Sequence, residues 1–490
     1  PYFSSSVLGF VFGRLQEDVV TSKKLISSRR QVLRSMFLGS VALGIYGCGG
    51  SSSSSNNSST PDTPDVPDVP DVPDVPDPVV PATELPLQAG PLANIGNLVE
   101  SDVDGTLIPE GFSIRRVARA GFSPSFNFTL WHSNPDGGAV FQADDGGWVY
   151  VSNSESTPGG VGALRFDANG DISDNYRILR DTRNNCAGGA TPWQTWLSCE
   201  EVSDGQVYEC DPFGSADDAV ARPALGIFNH EAVAVDLPTR TLYLTEDSGS
   251  GRLYRFTSVG AKTSINGKEG LDLDNGLLEV LEIEGFEAGG YQDDLAVARK
   301  LHKVKWVAVQ SPERTQADVR SEIEATGVGA PGTVFKGGEG IWTQEFPEGQ
   351  RQTVDGSDHP LRAVIFFACK GDNRVYALDV DNELIEVVFD NEQLTAVDEL
   401  PYDDVDNLVV SPAGDVIVAE DGDAMRLMVM IPNQPAKILL QVPGGESELT
   451  GPAFTADGSR LYFSSQRGPV NLGIPWFGTT YELTIPEEYR

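Results

Sequence analysis

One local design recurs along this chain past residue 100. An apolar β-run ends in a polar or acidic residue, a turn of Gly, Asp or Asn follows, and a second β-run closes in Asp. Trp148–Asn153, Leu242–Asp247, Val364–Phe367, Val416–Asp421 and Leu461–Gln466 are instances of its first strand. Short strands at regular spacing with turn chemistry between them read as propeller blades or a large β-sandwich, and the pattern favours the propeller. In a propeller the inner strands line a central channel. Polar residues at equivalent ends of apolar strands then converge, and carboxylates far apart in sequence become neighbours. The 52 Gly and 32 Pro, with frequent Val, Tyr and Phe, favour many short strands, and no extended run of helical period is present.

The acidic strand ends carry the chemical signal. Glu200 with Glu201, Glu246 with Asp247, and Glu420 with Asp421 each close an apolar run. One such pair alone reads as a solvated turn. Three pairs in matching contexts, with Glu155, Glu231 and Glu339 near them in kind, point instead to hard oxygen ligands suited to calcium or ferric iron. Cys186 follows two asparagines and precedes Ala-Gly-Gly, where little side-chain bulk blocks close approach. It is either a metal-binding thiolate or an ordinary buried thiol. Four histidines are too few to favour a His-based zinc site, and no nucleophile elbow, Walker loop or dinucleotide fingerprint is present. Cys199 and Cys210 flank the turn-prone Ser203-Asp204-Gly205, so a hairpin there permits a disulfide; two free buried thiols are the alternative. A formal net charge of −37 excludes nucleic-acid binding through the phosphate backbone.

The N-terminal region reads as an export address. Ser28-Arg29-Arg30 precedes the apolar run Met36–Tyr46 and then Gly47-Cys48-Gly49, a twin-arginine-like signal running into a lipobox-like site. The run is about half the roughly 20 residues a bilayer crossing needs, so a transmembrane helix is disfavoured. Cleavage before Cys48 leaves a lipidated cysteine, and the residues before Lys23 are read as upstream of the signal. Ser-rich sequence followed by Pro-Asp-Val repeats makes an acidic, semi-rigid tether. The expected organisation is 1–48 signal region, 49–85 disordered tether and 86–490 folded domain.

Residues 185–201 combine Cys-Ala-Gly-Gly, Thr-Pro-Trp and Cys-Glu-Glu in a single stretch, and further segments follow in order. Among them are PDGGAVF at 135–141, FNHEAVAVD at 228–236, FKGGEGIW at 335–342, KGDNRVYALD at 370–379 and ELTGPAFTADGSRLYFSSQRG at 448–468. Across residues 90–485 this layout resembles the PhoX-type alkaline phosphatases, exported iron- and calcium-dependent β-propeller enzymes. The resemblance implies an all-β, six-bladed β-propeller preceded by the export signal and tether. It implies hydrolysis of phosphate monoesters by an iron–calcium cluster in the channel, with Cys186 on iron and Glu155, Glu200, Glu201, Glu231, Glu246, Glu339, Glu420 and Asp421 as metal ligands. Asn153 and Glu155 occupy the family's Asn-His-Glu element, with Ser154 in place of the His. Arg374 is expected to offer a forked donor to phosphate, and Asn153 and Arg374 are the expected catalytic side chains. An anionic substrate near so acidic a protein requires bound cations to invert the local field. The expected partners are small phosphorylated substrates, with membrane contact only through a lipid anchor and a monomeric state. Two other readings remain open: a non-catalytic, calcium-stabilised binding propeller, and a calcium-dependent propeller hydrolase of the lactonase or phytase sort.

Overall fold

The computed structural model describes residues 84–490 apart from 126, 287–299, 391–401, 403, 423, 444–446 and 470–477. The twin-arginine stretch, Cys48 and the tether up to residue 83 lie outside the described residues. The tether expected through residue 85 ends sooner, because Leu85 is buried and its N–H donates to Glu386 Oε1 at 3.1 Å. Among the described residues no helix is long and apolar enough to cross a membrane.

The fold is all-β and propeller-like, built from antiparallel four-strand meanders that follow one another along the chain. The first comprises Pro135–Gln142, Trp148–Ser154, Gly159–Phe166 and Ile172–Thr182; the next comprises Asn185–Ala190, Trp196–Glu200, Val207–Cys210 and Val220–Ala221. His230–Asp236, Thr241–Glu246, Leu253–Ser258 and Gly276–Ile283 follow, then Gly338–Glu345, Ala363–Cys369, Arg374–Asp379 and Leu384–Asp390. His302–Ala308 bridges these two groups into one nine-stranded sheet. Val405–Val410, Val416–Glu420, Arg426–Met430 and Lys437–Gln441 make another meander, which Leu98–Glu100 and Leu107–Pro109 extend. The last meander takes Leu449–Phe454, Arg460–Ser465 and Thr479–Thr484 from the C-terminus and its outer strand, Ser113–Arg119, from the N-terminal side. That exchange ties the two ends of the folded region together. Buried Glu482 secures it, accepting from Arg115 Nε at 3.0 Å, Arg115 Nη2 at 2.7 Å and Tyr462 Oη at 2.7 Å.

The strands are apolar on both faces because each sheet is covered on both sides. Val149 and Val151 of the first meander pack with Trp196 and Cys210 of the second, while Trp148 and Tyr150 pack with Tyr462 and Ala453 of the last. Similar cores lie between every other consecutive pair of sheets. Full burial of such a side chain stabilises by about 1.5–3 kcal/mol. Turn chemistry sets the strand ends. In the Asp167–Asp171 turn, Asp167 Oδ1 accepts the N–H groups of Asn169 and Asp171, both at 2.9 Å, and Gly170 supplies φ +84°. The hairpin expected around Ser203–Gly205 forms, but its register pairs Cys199 with Val207 and Cys210 with Trp196. The two thiols therefore do not face each other, and both are free.

First strands touch in cyclic order: Pro135–Gln142, Asn185–Ala190, His230–Asp236, Gly338–Glu345, Val405–Val410, Leu449–Phe454 and back to Pro135–Gln142. Each carries a β-bulge near its start. A bulge sets two residues against one and re-aims the side chain it carries. Close approach of these strands also explains the glycines of Cys-Ala-Gly-Gly. A Cβ on Gly188 would overlap the carbonyl oxygen of Leu197, and one on Gly189 would overlap that of Val233 in the neighbouring first strand.

Candidate metal centre

The bulged position of each first strand and the residue just past each second strand define two levels of side chains. Asp136, Cys186, Glu231, Glu339 and Asp406 occupy equivalent places in the first-strand bulges, and the sixth such place holds Gly451, which brings no side chain. Glu155, Glu201, Asp247, Lys370, Asp421 and Gln466 each follow a second strand. Strand side chains alternate between faces, so the residue after the strand end turns opposite to the one before it.

Ligand atoms from these two levels, joined by Glu448 just before the Leu449–Phe454 strand, converge. Within each of three groups they lie within 4.8 Å of one another: Cys186 with Glu201 and Glu231, Glu231 with Glu339 and Asp406, and Asp406 with Asp421 and Glu448. Glu231 and Asp406 are shared, so the groups form one continuous chain of donors. Cys186 Sγ stands 3.4 Å from Glu231 Oε1. On the flank, Gln466 Nε2 donates to Asp136 Oδ2 at 2.7 Å and Glu155 Oε2 at 2.6 Å, which fixes both carboxylates.

Two cations stand among these acids. Lys370 Nζ lies 2.9 Å from Asp406 Oδ2, 3.1 Å from Asp421 Oδ2 and 3.6 Å from Glu339 Oε1, and Arg467 Nη2 lies 2.8 Å from Glu448 Oε1. They do not balance the negative charge. Burial, then repulsion from neighbouring carboxylates, pushes Asp136 and Glu231 well above the usual carboxylate range. Burial raises Glu339 and Glu448 likewise, with Lys370 opposing at Glu339 and Arg467 at Glu448. Glu201 is pushed up to about 8 by burial and by Glu155 and Asp247 beside it. Burial and the surrounding acids raise the Cys186 thiol as well. Glu231 Oε2 and Glu339 Oε1 are buried without any hydrogen-bond partner. An unpaired buried carboxylate oxygen is costly, and a cation relieves that cost. Many hard oxygens with one thiol fit metal binding.

The family model for alkaline phosphatase PhoX matches residues 162–208 and 203–357. Pseudomonas fluorescens PhoX in complex with vanadate, a transition state analogue, has a similar structure: TM-score 0.56 at 15% identity, covering 82% of this chain and 98% of that one. Residues 162–357 of this chain are thus similar to PhoX-type alkaline phosphatases, and its fold is that of a PhoX-like propeller. No curated protein sequence matches it. A gluconolactonase from Xanthomonas campestris is more distantly similar, with TM-score 0.42 at 11% identity, covering 80% of this chain and 98% of that one.

Of the residues expected from the sequence to act, Cys186, Glu201, Glu231, Glu339 and Asp421 are brought together, with Glu155 beside them. The first members of the acidic pairs are placed differently, and this corrects the expected ligand set. Glu200 accepts from the backbone N–H groups of Arg183 at 3.0 Å and Gln206 at 3.3 Å. Glu246 bonds Arg252 N at 3.1 Å, Tyr254 Oη at 3.0 Å and Arg320 Nη2 at 2.7 Å, and Glu420 holds the Arg426 guanidinium. Each is buried and clamps its own hairpin, because the residue inside the strand points opposite to its successor. Arg374 is likewise engaged away from the donors, pairing with Asp390 at 2.9 Å and Asp372 at 3.5 Å. Asn153 is fully buried and binds backbone rather than open space. The Ser154 hydroxyl donates to Ser133 O at 2.9 Å, so the departure from the family's His falls on a side chain turned toward backbone.

Asp136, Asp406, Glu448 and Lys370 were not legible as isolated residues. The missed signal is internal repetition. Asp136-Gly, Cys186-Ala, Glu231-Ala, Glu339-Gly and Asp406-Asn share one position relative to the strand that follows, and superposing the repeats recovers Asp136 and Asp406 from Cys186 alone.

Proposed function

We propose that this protein is a metal-dependent phosphatase hydrolysing monoesters of small phosphorylated substrates, with iron and calcium held at the centre of a six-bladed propeller. The observation that carries the reading is the meeting of Cys186 with carboxylates from separate sheets, where Glu231 presents a buried oxygen without a hydrogen-bond partner and Glu339 Oε1 has only the Lys370 ammonium at 3.6 Å. A site for calcium alone has no use for the thiol, which favours the phosphatase over a calcium-only propeller. The cyclic contact of first strands supports the blade number.

Cys186, Glu201 and Glu231 are the proposed holders of iron, and Asp406, Asp421 and Glu448, with Glu339 and Glu155, of the remaining ions. Bound cations supply the positive charge that an anionic ester and its transition state need. The chain itself sets the geometry. Bulged first strands present the ligands from a rigid ring, Gln466 orients Asp136 and Glu155, and Arg467, exposed at the edge, offers a guanidinium to an arriving phosphate. Family members are exported, and the twin-arginine-like signal with a lipidated Cys48 supports the proposal of a tethered, monomeric enzyme outside the cytoplasm.

Elemental analysis and p-nitrophenyl phosphate turnover of wild type and Cys186→Ala test this reading. Iron and calcium in the wild type, with iron and turnover both lost in the variant, are expected. Calcium without iron, and turnover indifferent to Cys186, overturns it.

A further inference from the structure

Five of the six positions that follow a second strand hold Glu155, Glu201, Asp247, Asp421 or Gln466, acids or an amide that binds acids; the remaining one holds Lys370. The fold thus puts an ammonium where its other repeats mostly put a carboxylate. That ammonium reaches Asp406 at 2.9 Å, Asp421 at 3.1 Å and Glu339 at 3.6 Å, three acids from two different sheets. Its surroundings resemble a cation's coordination sphere more than a surface ion pair, since Glu339 and Asp406 are buried. The backbone holds it there: Lys370 N donates to Gly337 O at 2.8 Å and Gly371 N to Lys336 O at 3.1 Å, clamping the turn after the Ala363–Cys369 strand.

We infer that Lys370 is a built-in cation that occupies, on the Glu339–Asp406–Asp421 side of the cluster, a position a divalent ion would otherwise take. This rests on the metal-dependent reading above and deepens it. An ammonium on a flexible stem is a point charge with three donors, which suits three separate acids better than a planar guanidinium does. It neutralises part of the acidic array without coordinating, so the Asp406–Asp421 edge needs less metal. The Cys186–Glu201–Glu231 group contains no such charge, and Glu231 Oε2 there remains unpartnered. The Glu339–Asp406–Asp421 side therefore holds one ion fewer than its carboxylates would otherwise bind, whereas the Cys186 side depends on metal alone.

The test is metal stoichiometry by mass spectrometry on wild type, Lys370→Gln and Lys370→Arg, each equilibrated with iron and excess calcium and then desalted. Lys370→Gln is expected to bind one more calcium per chain than wild type, and Lys370→Arg, which keeps the charge, the same number as wild type. Unchanged or lower calcium in Lys370→Gln, with metal present in wild type, overturns the role of Lys370 and leaves the metal-dependent reading standing. Metal missing from wild type as well overturns both. Thermal unfolding with calcium keeps the result readable: the added ion should make the melting temperature of Lys370→Gln more calcium-dependent than that of wild type, and equal dependence counts against the inference.

Discussion

Asn153 holds the bulge that carries Cys186. Its Nδ2 donates to Cys186 O at 3.0 Å and Ala187 O at 2.7 Å, while its Oδ1 accepts from Trp196 Nε1 at 2.9 Å and Ser198 Oγ at 3.0 Å. One amide thus links the second strand of one sheet to the first and second strands of the next. Removing it leaves buried donors and acceptors unsatisfied, each costing about 1–3 kcal/mol. Asn153→Ala should lower the melting temperature by several degrees and weaken metal binding about 10–100-fold, the range typical of outer-shell partners. Thermal unfolding and chelator competition measure the two effects. A variant with native metal affinity would show that Asn153 does not position Cys186.

Glu231 is fully buried and belongs to two of the three donor groups, so its charge should change sign in its effect on stability. Without metal its ionised form is opposed by burial and by Glu339 and Glu201; in the proposed metal-bound state it is the shared ligand. Glu231→Gln should therefore melt higher than wild type in chelator and lower than wild type when both are metal-loaded. Paired thermal scans decide it. A decrease under both conditions would make Glu231 a structural residue only.

The fold was legible because both of its signals are local. Apolar runs such as Val149–Val151 and turns such as Asp167–Gly170 specify strands and connections without long-range information. The candidate centre was legible in part, for a reason of geometry. An acidic pair at a strand end announces itself in sequence, but which member faces the channel depends on whether it lies inside the strand or one residue past it. Glu200 and Glu201 differ by that single step, and only the second joins Cys186. Asp406 and Glu448 lacked a partner acid beside them, so composition did not single them out. Lys370 was hidden for the opposite reason, since an ammonium has no lone pair to give a metal and its type does not mark a metal site.

Glu246 gives a direct test of that one-step rule. Its carboxylate pairs with Arg320 at 2.7 Å, both side chains are buried, and Arg320 is the contribution of the Gln316–Glu324 helix to the sheet. Breaking one side of a buried pair costs about 3–5 kcal/mol. Glu246→Gln is expected to lose several degrees of melting temperature while keeping wild-type metal content. Loss of metal at preserved stability would return Glu246 to the ligand set.

The pH dependence of the metal-free protein follows from Glu201. Its folded value is pushed up to about 8 by burial and by Glu155 and Asp247, whereas an unfolded glutamate titrates near about 4.3. Between those values the folded chain keeps a proton that the unfolded chain has released. The resulting stability is fully present below the unfolded value and is lost as pH rises toward 8, after which the contribution is flat. Asp136, Glu231, Glu339 and Glu448 are shifted in the same direction and steepen the decline. Metal binding displaces those protons, so it should tighten over the same interval and release acid into an unbuffered solution. Chelator-treated protein should melt progressively lower from pH 5 to pH 8, and metal-loaded protein should not. If the chelated protein instead gains stability over that interval, the carboxylates are ionised in the fold without metal, and Lys370 and Arg467 suffice to balance them.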